Sequence, residues 1–589
     1  MSSLAVAGIA AWRWFTLPMQ TDDSLPVEAA APGLPRFRSR RLIYLGILTV
    51  ALALRLPEVF AAYPYLNYID EGYVLHPVIH LLAAGTWDPN TYEYHYGALP
   101  NYVLAAAAAV YAPLFHRTHG RPLRAALSPD PPRAYDYVEP AELVVVARLA
   151  GMVAALGCVL LVGLLASRVI APRAGLVAAW MAALLPALVI RGSTVNVDVY
   201  ATLFTLAALV FAEDLRGGAR PWRNALLAGA MCGCALATKY MAVLVCLPVV
   251  LAIAWSGGPA AAPAAPTAPL AAAAAAGAAE ASGARRRAWR RWRQKLALLA
   301  VAGVGGVAAA AVAMPALVLR SRQVLAALRF QAEQYRGLPS PPFFAQVIHR
   351  AEWDLPFDGP EIGAVFLALA VAGAALALLT PRLRRPALGW LLLAATLIVI
   401  TSSFPYQPFR NLLAAAALSS VLVAVVFDRL RAATRRPAAV CLAAALLPVL
   451  LFGAPLGRYV HDRIALADTR RQAIDWLAAH TRPDDSVLVS TELAILDSET
   501  ERVPAYTEPA PWRAAWPLLL RRRFDYAVVG DLSTAAQGEM PPHAWERIHA
   551  DYELVARFGS GLTSDSPVAW HGNREAVSIL RRSQSPSLP

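Results

Sequence analysis

Between residues 61 and 101 the chain gathers side chains that can do chemistry. It reads Asn67-Tyr68-Ile69-Asp70-Glu71-Gly72-Tyr73, then Gly85-Thr86-Trp87-Asp88-Pro89, then Tyr94-His95-Tyr96-Gly97-Ala98-Leu99-Pro100. A carboxylate such as Asp70 can take a proton from an attacking hydroxyl. Further along, ionisable groups fall at the ends of apolar runs: Asp198 after Asn196, Lys239 between Thr238 and Tyr240, and Arg410-Asn411 after Tyr406-Gln407-Pro408. Arg148 lies inside such a run. Ionisable groups at membrane depth are costly and are functional candidates by default. Acids that supply a base and cations that stabilise a departing phosphate fit attack of a hydroxyl on a sugar carried by a phosphate-bearing lipid. Each group also has a plainer reading. Asp70-Glu71 suits a helix N-terminus, the aromatics suit an interfacial belt, and the cations suit snorkelling or interhelical pairs.

The elements that must position these groups are apolar. Of 589 residues, 58% are hydrophobic and 16% charged, against about 25% charged in a soluble domain, and mean hydropathy is +0.46. This excludes a disordered chain, a disulfide scaffold and an ordinary soluble enzyme. The five cysteines, Cys158, Cys232, Cys234, Cys246 and Cys441, all sit in apolar runs and read as core residues. Eleven spans are expected, over about 42–60, 143–166, 174–191, 198–212, 224–237, 241–256, 297–318, 361–379, 387–403, 410–427 and 438–455. Lys239 is expected at the turn between two of them.

Arginine placement sets the expected orientation. Basic stretches occur at Arg36–Arg41, Arg168/Arg173, Arg216–Arg223, Arg285–Lys295, Arg382–Arg385 and Arg429–Arg436. With eleven spans and the N-terminus inside, all of them fall on the cytoplasmic side, as the positive-inside rule requires. A net charge of +13 is then a topology signal, and no nucleic-acid partner is expected. The run 98–115 is placed as an amphipathic or re-entrant segment on the outer surface, because a crossing there would put the basic loops outside. Asp70, Asp198, Lys239 and Arg410 then reach one outer face.

The expected domains are a cytoplasmic tail over 1–40, a transmembrane domain over 41–456 and an external α/β domain over 457–589. Within the second, 61–142 forms the external catalytic loop with its juxtamembrane helices, and 257–296 a cytoplasmic linker, flexible over its Ala/Pro/Gly-rich part. In the tail, 469–480 has helical spacing, and strands are expected at 486–490, 525–530, 552–558 and 577–580. The tail has no phosphate loop, no Gly-x-Ser-x-Gly and no metal cluster, so it reads as an accessory domain.

These motifs in this order resemble the GT-C fold glycosyltransferases of the protein O-mannosyltransferase type and the related lipid A aminoarabinose transferases. The resemblance runs from Arg55-Leu56 through Asp70-Glu71 with Tyr73, Trp87-Asp88-Pro89 and His95-Tyr96-Gly97-Ala98-Leu99-Pro100. It continues through Ala147-Arg148-Leu149, Asp198, Gly233 to Lys239, and Tyr406 to Asn411. It implies a multi-pass enzyme of the inner or plasma membrane that uses a polyprenyl-phosphate-linked sugar. Asp70 would be the catalytic base and Glu71 the second member of an acidic pair. Asp198 would be a second acidic position at the site. Lys239 and Arg410 would contact the donor phosphate, with Asn411, His95, Tyr96 and Tyr406 also binding substrate. No metal ligand is assigned, and a divalent cation is the one cofactor such enzymes use in some cases. The chain departs from the pattern in two places. It has no lysine near Tyr96, where the aminoarabinose enzymes carry Glu-Lys-Pro. The 320–360 loop, with Tyr335, His349, Trp353 and Asp354, is too short for the extra lumenal domains of the eukaryotic enzymes.

The expectation is therefore a glycosyltransferase that moves a sugar from a polyprenyl phosphate to an acceptor outside the cytoplasm, surrounded by membrane lipid. The alternatives are a transporter or flippase of lipid-linked sugars, which needs polar groups at the bilayer midplane, and a non-catalytic membrane scaffold.

Overall fold

A computed structural model describes residues 38–61, 63, 65–66, 69–89, 94, 96–127, 138–256, 273–336, 360–402, 409–465, 468–490, 493, 495, 500–510, 512–522, 524–530, 542–559 and 577–583. Residues 1–37 of the tail expected over 1–40, together with His95, Tyr406, His349, Trp353 and Asp354, lie outside the described residues.

The fold is the expected one, a helical body of membrane type followed by a small α/β domain. The body begins with α1 (Arg38–Phe60), α2 (Ile69–Ala84) and α3 (Leu99–His119). It continues with α4 (Glu142–Val169), α5 (Pro172–Leu184), α6 (Pro186–Arg191), α7 (Asp198–Arg216) and α8 (Pro221–Thr238). A 3-10 segment, Tyr240–Val245, leads into α9 (Cys246–Trp255), followed by α10 (Ala273–Ala313), α11 (Ala316–Leu319) and α12 (Ser321–Arg336). The last helices of the body are α13 (Pro360–Leu379), α14 (Pro381–Ser402), α15 (Leu413–Ala433) and α16 (Pro437–Ala465). Each expected span overlaps helical structure, but four of them are divided: 174–191 between α5 and α6, 241–256 between the 3-10 segment and α9, 297–318 between α10 and α11, and 410–427 between a short 3-10 segment and α15. Among the described residues, six helices are long and apolar enough to cross a bilayer: α1, α4, α10, α14, α15 and α16. Several helices open on proline at their first position, where the missing N–H removes nothing from the helix.

Two boundaries differ from expectation. From Ala273 the tract expected as a linker is helical and runs straight into the following apolar helix. Beyond its last proline the tract is nearly all alanine, the best helix former. The last helix of the body also continues eight residues beyond 457, to Ala465. The 98–115 run is a helix over Leu99–His119, closed by Gly120 in the left-handed conformation at φ 68°.

Packing in the body relies on small residues. A Cβ on Gly233 would stand 2.1 Å from the carbonyl oxygen of Gly306, and one on Gly229 would stand 1.9 Å from that of Ala302. The backbones of α8 and α10 therefore touch along a Gly-x-x-x-Gly seam, as small residues allow in a membrane. At the other end of α8, a Cβ on Gly97 would meet the Ala237 carbonyl at 2.0 Å. This presses the segment before α3 onto the residues that lead into Lys239.

The C-terminal domain contains α17 (Thr469–His480), β1 (Ser486–Ser490), β2 (Tyr506–Ala510), α18 (Trp512–Arg522), β3 (Tyr526–Gly530), α19 (Pro542–Asp551), β4 (Tyr552–Phe558) and β5 (Val577–Arg582). Its sheet has the order β2-β1-β3-β5-β4. β2, β1 and β3 run parallel, while β5 is antiparallel to β3 and to β4. The added strand is β2, which carries Pro509 and sits at the sheet edge, where a missing N–H is tolerated.

Candidate active site

Asp198, Lys239 and Asn411 meet at one end of the helical body. Asp198 is the first residue of α7. The Asn196 carboxamide oxygen accepts from the backbone N–H of Asp198 at 2.9 Å and of Val199 at 3.2 Å, so it caps the helix start. Lys239 follows the last residue of α8 in an extended conformation, between that helix and the 3-10 segment. Its ammonium donates to Asp198 Oδ1, and to Asn411 Oδ1 at 2.5 Å. A carboxylate at a helix N-terminus and a cation at a helix C-terminus both suit the helix dipoles. Thr202, Thr205, Met241, Leu393 and Leu397 line a small pocket around the pair.

Asp198 opens α7 and Arg216 closes it, which places them about 27 Å apart along the axis. At the Arg216 end, Arg168 pairs with Asp214, and Arg216 pairs with Glu213. The basic stretch Arg216–Arg223 therefore lies at the opposite end of the body from Lys239.

Glu71 takes a different place from the one expected. Its side chain and that of Arg148 are both 0% exposed and are paired at 2.7 Å. Arg148 Nε also donates to Glu71 Oε1 at 2.9 Å. The remaining donors of the guanidinium reach the backbone carbonyls of Val59, Ala61 and Tyr65. Glu71 Oε1 additionally accepts from the Val195 N–H at 2.9 Å. The carboxylate is enclosed and bonded through both oxygens, so it ties the start of α2 to α4 and to the Val195 backbone. Asp70 is one residue earlier on α2. Its backbone belongs to α2, and its side chain and that of Arg410 lie outside the described ones. Arg410 belongs to a 3-10 segment, Phe409–Leu412, which also carries Asn411. The geometry thus joins Asp198, Lys239 and Asn411, and assigns Glu71 to Arg148.

A second cluster escaped the sequence reading. Arg320 pairs with Asp88 at 2.5 Å, and Tyr94 donates its hydroxyl to the same carboxylate at 3.1 Å. The Tyr240 hydroxyl donates to the Tyr94 carbonyl at 2.9 Å and reaches that of Tyr96 at 3.5 Å. Tyr240 is the neighbour of Lys239, so the segment carrying Asp88, Tyr94 and Tyr96 is tied to the Lys239 corner. Burial, reinforced by the Asp88 carboxylate, raises the Tyr94 hydroxyl above its ordinary pKa. On α2, burial lowers the His76 imidazole from 6.5 to about 4. The signal for Asp88 was its place between Trp87 and Pro89, but its partner is in a distant part of the chain. Among the described residues no group of three or more His, Cys, Asp or Glu side chains is arranged to hold a metal ion.

Residues 134–257 match the family model of dolichyl-phosphate-mannose-protein mannosyltransferase. The matched stretch holds Arg148, Asp198 and Lys239, while Asp70 and Asn411 lie outside it. The likeness expected from the sequence is therefore present over α4 to α9, and the matched family is one of glycosyltransferases. Among solved structures, ArnT from Cupriavidus metallidurans aligns at 13% identity and TM-score 0.46, over 92% of this chain and 98% of that one. The archaeal oligosaccharyltransferase AglB from Archaeoglobus fulgidus, in complex with an inhibitory peptide and a dolichol-phosphate, aligns at 13% identity and TM-score 0.46, over 93% and 76%. Arabinosyltransferase EmbB from Mycobacterium smegmatis aligns at 16% identity and TM-score 0.41, over 79% and 42%. No curated protein sequence matches the chain.

Proposed function

We propose that this multi-pass membrane protein, with its mannosyltransferase-family segment, transfers a sugar from a polyprenyl-phosphate donor to a hydroxyl acceptor on the non-cytoplasmic face. The observation that carries the reading is the Lys239 corner. A cation is held between a carboxylate and an amide at one end of the body, the same end at which the loop bearing Asp70 is tied down through Glu71 and Val195. The basic helix ends lie opposite, which supports placing the corner outside the cytoplasm, the N-terminus inside and the C-terminal domain outside.

In this reading Asp70 takes the proton of the acceptor hydroxyl. The acceptor oxygen bonds to the anomeric carbon while the bond from that carbon to the phosphate oxygen breaks, and polyprenyl phosphate leaves. Lys239 and Arg410 stabilise the charge that grows on the phosphate. Lys239 exchanges part of its contact with Asp198 for the phosphate, so Asp198 and Asn411 keep the ammonium aimed before the donor arrives. Tyr96 and, beyond the described residues, His95 and Tyr406 line the sugar and acceptor side. A divalent cation, if bound, would neutralise the same phosphate. The membrane is the cell's inner or plasma membrane.

The test is donor turnover. The purified chain is incubated with a panel of polyprenyl-phosphate sugars, and released polyprenyl phosphate is followed by mass spectrometry. Release by the wild type and not by Asp70→Asn supports the reading. Equal release by both removes Asp70 as the base, and no release with any donor and hydroxyl acceptor removes the reading itself.

A further inference from the structure

Tyr65 belongs to the first external loop by sequence and to the C-terminal domain by packing. It is fully buried, in the apolar cluster formed by Ile474 and Leu477 of α17 and by Val487, Val528 and Ile579 of the sheet. Arg470 covers it, with the guanidinium carbon 4.4 Å from the ring centroid. That guanidinium is itself fixed. Asp468 takes its Nε at 2.9 Å and one Nη at 2.8 Å, while the same Nη donates to the Leu66 carbonyl at 3.0 Å. Both Asp468 and Arg470 are buried. From the other side, Arg148 donates to the carbonyls of Val59, Ala61 and Tyr65. The segment leading into Asp70 is thus held between two buried arginines, one in the membrane body and one in the soluble domain.

We propose that the C-terminal domain is a working part of the active site, in which Tyr65 and Arg470 are positioning residues that fix the Asp70 loop. This rests on the proposed function for its catalytic consequence. The domain has a distinct use for the contact, since its own core is completed by a side chain from the body. A buried arginine costs too much to be kept on a passive surface unless its hydrogen bonds are filled, and here one of them is filled by the loop. Misplacement of a catalytic group by about 1 Å costs roughly 10²-fold in rate, so releasing one of two holds is expected to lower turnover without emptying the donor cleft.

The test uses the full-length chain with Tyr65→Ala, Arg470→Ala and Tyr65→Phe. Amide hydrogen exchange is read on peptides covering 59–71, 486–490 and 526–530, and kcat and KM are read for the donor. Expected are exchange over 59–71 faster by about tenfold or more in both alanine variants, unchanged protection of the strands, and kcat lower by about tenfold to a hundredfold with KM for the donor within about twofold. Tyr65→Phe keeps the ring under Arg470 and is expected to behave as wild type. Unchanged exchange over 59–71 in both alanine variants would overturn the proposal. So would loss of strand protection in both, because the contact would then hold the domain together and not the loop. If the wild type turns over no donor, the proposed function fails, while the exchange measurement still decides whether the domain holds the loop.

Discussion

Glu71 and Arg148, 77 positions apart, form a closed pair in which every N–H of the guanidinium is used. Three go to backbone carbonyls at the end of α1 and in the segment after it, and two to the carboxylate. Removing one partner of a buried ion pair leaves the other charged and uncompensated, at a cost of about 3–5 kcal/mol. Arg148→Met and Glu71→Ala are therefore expected to lower the melting temperature of the detergent-solubilised protein sharply and to give poor yields of folded protein. A Glu71→Ala variant that melts like the wild type would show the pair to be dispensable.

Asp70→Asn is expected to behave in the opposite way. A lost general base costs about 10²- to 10⁴-fold in turnover, while the melting temperature stays near wild type because the neighbouring pair is intact. The contrast between Asp70→Asn and Glu71→Gln separates catalysis from architecture. The first should abolish release of polyprenyl phosphate in a stable protein, and the second should act mainly through stability.

Lys239→Ala removes the cation at the corner. A lost charge-stabilising donor costs about 10²–10³-fold in kcat, and donor binding weakens as well. Lys239→Arg keeps charge but cannot fit the compact contact between Asp198 and Asn411, so partial activity is expected. Steady-state kinetics with varied donor distinguishes these outcomes, and full activity in Lys239→Ala would take the corner out of the reaction.

The α8–α10 seam makes a prediction about packing alone. Gly233→Val must displace the Gly306 carbonyl, which lies 2.1 Å from the new Cβ, and overpacking of this kind costs about 1–3 kcal/mol or more. Gly303 is on α10 with open space around its Cβ position, so Gly303→Ala is expected to be neutral. Comparing the two thermal melts checks the seam.

His76 sets a pH dependence. Burial lowers its pKa from 6.5 to about 4, so between those values the unfolded chain binds a proton that the folded chain does not. Stability therefore falls as pH falls from 6.5 toward 4, and is unaffected by this group above that window. The wild type should lose several degrees of melting temperature over that interval relative to His76→Leu.

Helix positions were legible because each apolar run is long and bounded by arginine or proline, and four strands were legible as short apolar runs between turn residues. The edge strand was not, since Pro509 argues against a strand when its place in the sheet is unknown. The convergence of Asp198, Lys239 and Asn411 could be reached by following chain direction through each helix. That Glu71 is committed to Arg148 could not be read from its place beside Asp70, because the sequence neighbour of an acid says nothing of the partner its side chain meets. Its partner Arg148, the Arg320–Asp88 pair and the Tyr65 plug all join residues far apart in sequence, and local pattern carries no information about such contacts.

The plug has a bearing on how the chain is made. Tyr65 emerges early in synthesis, but the core that receives it is completed only with β5, whose last buried residues follow more than 500 positions later. At about 5–20 residues per second, the first external loop waits on the order of half a minute or longer for its second hold. A ribosome that stalls between α16 and that strand leaves an inserted helical body whose loop is gripped from the membrane side alone, so synthesis of β5 is itself the step that finishes the site.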